Sequence, residues 1–244
     1  NLFLNVTLII QIILSIASIF LMFLIFLNFF DKNVSLIGAA FYAFFPLNIY
    51  AASQISSITL QMFLINSFLL FFIRFYNDPK KTNLIIFSVI SSLLILLRGE
   101  FYLFVIFSLI FLLLKKKKLI EIILSSLLII LLISPYLYRN FNTFDVITIT
   151  KSSGFNLLKG NNPKSKVEGI GLFGDVEGVV PEVRIELEKL YAQGPIIKHD
   201  LEKDRILLDQ AINFIKENPK KYSSLYMQKF LSFTYNLNPV QVIF

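Results

Sequence analysis

Read along the chain, apolar residues form long runs broken at short polar intervals. Leu2 to Phe30 is apolar apart from scattered Asn, Gln, Ser and Thr, and Asp31 and Lys32 end it. Further apolar segments follow at 34–50, 55–76, 83–97, 101–114 and 119–135. About 20 such residues cross the hydrocarbon of a bilayer, so the pattern predicts about six membrane segments, several of them short. After Arg139 the pattern changes: charges of both signs alternate up to Lys221, and Gly and Pro appear. Residues 137–221 therefore read as a water-facing region, and 222–244 as the start of a further membrane helix carrying Lys229.

Within the polar region, "DVITIT" alternates β-branched residues and predicts a short strand, followed by a Gly/Asn/Pro loop in "KSSGFNLLKGNNP". "VPEVRIELEKLYAQG" predicts a helix with Pro181 at its first position and Gly194 past its end. "DLEKDRILLDQAINFIKENP" predicts an amphipathic helix with Leu201, Leu208, Ile212 and Ile215 on one side, stopped by Asn218 and Pro219. The fold class expected is an all-α polytopic membrane bundle with a small mixed α/β region outside the cytoplasm.

The lysines set the topology. "DKN" at 31–33, "NDPKK" at 77–81 and "KKKK" at 115–118 are short and Lys-bearing, the mark of the cytoplasmic side. Successive Lys loops on one side require an even number of crossings between them. The run from Asn83 to Leu114 must then go out and return, with its only charges, Arg98 and Glu100, at the turn. Each arm is about 15 residues, roughly 22 Å at 1.5 Å per residue. By the same parity 51–57 and the segment after 133 lie on the outer side.

Composition sharpens the class. More than half of the 244 residues are hydrophobic, 27 are Phe, and mean hydropathy is +0.71, which excludes an ordinary soluble domain. With no Cys and one His, disulfides, thiolate chemistry and Cys/His zinc sites are excluded. The net charge of +7 is dispersed over loop clusters and forms no nucleic-acid reading face. A chain that begins at Asn1 without a signal peptide reads as a piece of a longer product. Abundant Ile, Lys, Asn and Phe without Trp suggest an AT-rich bacterial genome and hence a bacterial inner membrane.

Several motifs invite chemistry. "GIGLFG", Gly169 to Gly174, has dinucleotide-loop spacing, but polar residues precede it where a buried strand is needed. Asp175 and Glu177 are a pair of acids suited to a divalent ion, or simply solvated. His199 followed by Asp200 has the look of a base with its orienting acid, but no nucleophile is tied to it. No cofactor is called for. The lysines at 115–118 are a topology signal compatible with anionic lipid. Arg98 and Arg139 lie on one face with Glu100 and Asn140 nearby. Each Arg is either an interfacial anchor or part of a phosphate pocket, since guanidinium groups bind phosphate bidentately.

Four stretches in order carry a family resemblance: "FYAFFPLNIYAAS", "LLILLRGEFYLF", "SPYLYRNFNTFDVITITKSSGFNLLKGNNP" and "DQAINFIKENPKKYSSLYMQKF". Together, over nearly the whole chain, they resemble the membrane glycosyltransferases of the dolichyl-phosphate-mannose protein mannosyltransferase type. The most specific part is Arg139-Asn140 followed about twenty residues later by Gly160-Asn161-Asn162-Pro163. The resemblance implies a GT-C helical fold and transfer of a sugar from a polyprenyl-phosphate donor to a lipid, glycan or protein hydroxyl. It implies substrate contacts at Arg98, Glu100, Arg139, Asn140, Asn161 and Asn162. In that family the catalytic acid follows the first membrane helix, which places it upstream of residue 1 here. The competing readings are a lipid-linked oligosaccharide flippase or other transporter, and a non-catalytic membrane assembly protein.

Overall fold

The computed structural model describes residues 2–115, 117–150, 152–167, 181–192, 194 and 196–235, which form two compact units, 1–139 and 140–244. All regular structure among the described residues is helical. In the first unit these are α1 (Leu2–Phe26), α2 (Lys32–Ala43), α3 (Pro46–Ser53), α4 (Ile58–Asn77), α5 (Lys81–Leu97), α6 (Phe101–Leu114) and α7 (Leu119–Phe144), the last running past the unit boundary. α1, α4 and α7 are long and apolar enough to cross a membrane, and α2 with α3 makes a fourth such span if counted together.

The apolar run over 34–50 is not one helix. Pro46 has no N–H to continue the ladder, and α2 and α3 meet at a bend of 52°. Phe45 is the extended residue before the proline, as sterics require. Asp31 starts α2 by accepting the backbone N–H groups of Asn33 and Val34 at 2.8 and 3.0 Å, which also ends the run from α1. α7 does the reverse and passes through Pro135 to Phe144. Pro135 leaves the carbonyl of Leu131 without its helical donor, and the Ser134 hydroxyl donates to that oxygen at 2.8 Å instead.

Side-chain pairs fix the direction of each helix. On α4, Phe68 meets Phe104 of α6 with ring centroids 4.9 Å apart, and Phe72 meets Phe111 at 5.9 Å, so α4 and α6 run the same way. Phe68, Phe72 and Phe75 all reach Phe87 of α5, the intervening arm that runs back. The Gln11 side chain of α1 donates to the Ser56 carbonyl at 2.7 Å, and Asn66 of α4 reaches the Ser18 carbonyl at 3.4 Å, so α1 is parallel to α4. On α5 and α7, Ser88 pairs with Ser125 and Ser92 with Ile129, which makes those two parallel. These directions put the loops at 27–33, 77–81 and 115–118 at one end of the bundle and the loops at 54–57 and 98–100 at the other. Lys117 confirms the first grouping: its ammonium sits 4.1 Å from the centre of the Tyr76 ring.

The helix contacts use small polar residues. Ser88, Ser91, Ser92 and Ser125 are buried, and the first three return their hydroxyls to their own helix, so α5 approaches α7 closely without stranding polar groups.

The second unit contains α8 (Ser153–Gly160), α9 (Pro181–Tyr191), α10 (Ile196–Glu217) and α11 (Pro219–Tyr235). Leu158, Val183, Leu187, Leu190, Leu207 and Ala211 form its core. The strand expected in "DVITIT" does not form, and the described residues contain no strand. With no partner strand among the described residues to complete a ladder, the segment is held by side-chain bonds: Asn140 of α7 donates to the Thr148 carbonyl at 2.7 Å, and the Thr148 hydroxyl donates to the Thr150 carbonyl at 2.6 Å. The Gly/Asn stretch expected as loop instead begins with α8, whose Phe155 N–H is capped by the Asp204 carboxylate at 3.0 Å. On α10 the most buried stripe is Leu207 and Ala211, with Leu201, Leu208, Ile212 and Ile215 half-buried beside it. α11 is 17 residues long and is not among the helices apolar enough to cross a membrane.

Candidate functional site

The six candidate residues divide between the units. Arg98, Glu100 and Arg139 belong to the first; Asn140, Asn161 and Asn162 belong to the second.

In the first unit a three-residue turn joins α5 to α6. Arg98 leaves the helix in an extended conformation while its N–H still closes on Leu94 at 3.1 Å. Its carbonyl then accepts the first N–H of α6, from Phe101, at 3.1 Å. Gly99 is the middle residue of the turn. The turn leaves the Arg98 guanidinium 3.2 Å from the Glu100 carboxylate, with the two side chains 42% and 68% exposed. Such an open pair adds little stability, since solvent screens it. Its effect is geometric: it fixes one edge of the guanidinium and leaves donors facing outward.

Arg139 is exposed on the last turns of α7. In the register set by Ser88–Ser125 and Ser92–Ile129, a residue of α5 lies opposite the residue 37 positions later on α7. Arg98 is therefore level with Pro135, and Arg139 lies one turn beyond, about 6 Å along the axis. Both arginines sit at the end of the bundle away from the lysine loops.

In the second unit the asparagines bind backbone. The buried Asn162 amide donates to Leu158 at 2.8 Å and to Lys159 at 3.3 Å, while its carbonyl oxygen accepts from the Lys164 N–H at 2.9 Å. These are the orphan carbonyls of α8 and the turn that follows. Asn161 donates to Leu157 at 2.9 Å for the same end of the helix. Asn140 is likewise buried and engaged with Thr148.

Two lysines not singled out in the sequence complete this loop. Lys221 donates to the Pro163 carbonyl at 2.7 Å and Lys229 to Gly160 at 2.8 Å. Eight residues apart on α11, they lie on one helical face, which is the only sequence signal they carry. Partial burial pushes the Lys229 ammonium below the usual lysine range. Beside them opens a groove of about 480 Å³ lined by Ser165, Lys166, Lys221, Ser224 and Gln228.

The other motifs contribute less. Gly169 to Gly174, Asp175 and Glu177 lie outside the described residues. His199 faces Glu202 one helical turn away at 3.6 Å. Among the described residues no three of His, Asp and Glu gather as metal ligands would. No family model, curated protein or solved structure matches the chain.

Proposed function

We propose that the chain belongs to a GT-C-like membrane glycosyltransferase that moves a sugar from a polyprenyl-phosphate donor to a lipid, glycan or protein hydroxyl on the outer face of a bacterial inner membrane. The observation that carries the reading is the pair of arginines at the end opposite the lysines, with Arg98 oriented by Glu100. A cationic pair about one helical turn apart in level suits a lipid phosphate anchored in the same leaflet. In this reading Arg98 and Arg139 hold the donor phosphate and stabilise its charge as the sugar departs. The scheme needs a general base to take the acceptor proton, and none of the residues named here is given that role. A divalent ion has no assigned place in this scheme.

The test is sugar transfer in membranes containing the full-length protein. Arg98→Ala and Arg139→Ala should each lower turnover by about 10²-fold, the scale of losing one preorganised charge at a departing anion. Wild-type turnover in both, with normal expression, removes the phosphate site.

One observation favours a transporter instead. The α2–α3 span breaks at Pro46, and the buried Asn66 of α4 donates to the half-buried Tyr42 hydroxyl at 2.9 Å, a polar lining of the kind that broken transporter helices provide. Lipid-linked oligosaccharide movement across vesicles holding only the purified protein, without sugar transfer, identifies that function.

A further inference from the structure

The loops gathered at the lysine end of the first unit carry Lys32, Arg74, Lys80, Lys81 and Lys115 to Lys118, eight cations, against Asp31, Asp78 and Glu121. The excess is five charges. At the opposite end the same unit has Arg98 and Arg139 against Glu100, an excess of one.

The few acids are already occupied. Asp31 caps α2, Asp78 pairs with Lys80 at 2.6 Å, and Glu121 lies 3.7 Å from Lys118. Among the described residues no carboxylate pairs with Lys32, Arg74, Lys81, Lys115 or Lys117. Three of these cations instead lie over aromatic rings: Lys117 on Tyr76 at 4.1 Å, Lys115 on Phe111 at 5.6 Å and Arg74 on Phe71 at 5.1 Å. A ring face orients a cation without neutralising it. The arrangement draws long side chains against the apolar end of the bundle and keeps their charge at headgroup depth.

We propose that this end of the unit is a binding surface for the phosphates of anionic phospholipids in the cytoplasmic leaflet. The occupant follows from place and charge. Lipid headgroups surround the ends of helices that cross the hydrocarbon, and five uncompensated cations within a few Debye lengths recruit the negative ones. The surface is separate from the Arg98 and Arg139 end, so it stands whether or not sugar transfer is found.

The experiment reconstitutes the chain in phosphatidylcholine bilayers and compares the protein-associated fraction of spin-labelled phosphatidylglycerol with that of spin-labelled phosphatidylcholine. The expected result is at least about a threefold preference for phosphatidylglycerol at low salt, which fades as salt is raised. Combined Lys80→Gln, Lys81→Gln, Lys115→Gln and Lys117→Gln should bring phosphatidylglycerol down to the phosphatidylcholine level, while Arg98→Gln leaves the preference in place. Equal association of the two lipids with the unmodified chain overturns the proposal. So does a preference that survives the four substitutions, or one insensitive to salt, and the salt arm holds even if the fourfold variant does not fold.

Discussion

The hydroxyls of Ser88 on α5 and Ser125 on α7 lie 2.8 Å apart in a buried contact. Ser88 also reaches the Leu84 carbonyl at 2.8 Å, and when its one proton is there Ser125 donates in the pair. Replacing Ser125 by Ala should lower stability in detergent by about 0.5–1.5 kcal/mol, the usual range for such bonds between membrane helices. Ser125→Leu should cost more, because its bulk forces apart helices that touch through small residues. Thermal unfolding of the two variants checks the order; equal losses would mean that close approach is not what the serines provide.

Gly154 sits where α8 crosses α10, and a Cβ built there runs into the backbone of Asp204 and Leu208. Backbone cannot yield as a side-chain tip can. Gly154→Ala is expected to destabilise the second unit by about 1–3 kcal/mol, the cost typical of overpacking. Urea unfolding followed by proteolysis of the polar region reads this directly, and a neutral result would mean that α8 and α10 are further apart.

Topology is testable because the chain has no cysteine. Single cysteines replacing Asn33, Pro79 or Lys118 should react with impermeant maleimide only when it is supplied from the cytoplasmic side. Gln54→Cys and Gly99→Cys should react only from the outside. Labelling of Asn33→Cys and Gly99→Cys from the same side would overturn the parity of the bundle.

Lys229 supplies a pH dependence. Its ammonium is depressed in the folded chain by burial, while the unfolded chain has the ordinary value of 10.5. Between those values the unfolded state binds more protons, so stability due to this group rises with pH across the window and is penalised below it. Against Lys229→Met, the native chain should gain relative stability as pH rises through the depressed value of the folded ammonium toward 10.5. The substitution itself should cost about 1 kcal/mol at neutral pH, since it leaves the Gly160 carbonyl without its donor. A stability difference that is flat with pH would place the ammonium in water.

Glu100 offers a finer test of the arginine site. If its role is to orient Arg98, Glu100→Gln keeps the hydrogen bond and should raise KM a few-fold with kcat little changed, while Glu100→Ala should do more. Sugar-transfer kinetics separate the two outcomes, and a collapse of kcat in Glu100→Gln would give the carboxylate a direct part in the chemistry.

Much of the membrane unit was legible because its signals are strong and local. Lysines bracket the apolar runs, and the hairpin turn at Arg98 to Glu100 follows from counting crossings between them. The break at Pro46 and the passage through Pro135 were not legible: both segments contain a proline, and the Ser134 hydroxyl that serves the Leu131 carbonyl freed by Pro135 is seen only in the fold. In the polar unit, the alternation in "DVITIT" is a real β signal, but a strand needs a partner that the sequence pattern cannot supply. The resemblance singled out Asn161 and Asn162 as substrate contacts; their amides also finish a helix. Lys229 stood out only as a charge in an expected membrane helix and Lys221 as the end of the polar region, because a lysine that caps a distant carbonyl is written like any other lysine.

Two apolar helices of the first unit differ greatly in length, 25 residues in α1 and 14 in α6. At 1.5 Å per residue these are about 37 Å and about 21 Å. A long span fits a thinner bilayer by tilting, whereas a short one draws the bilayer in or leans on its neighbours, so the two helices place different demands on the lipid beside them. The stubby arms of the Arg98 hairpin thus ask more of the lipid around them than α1 does.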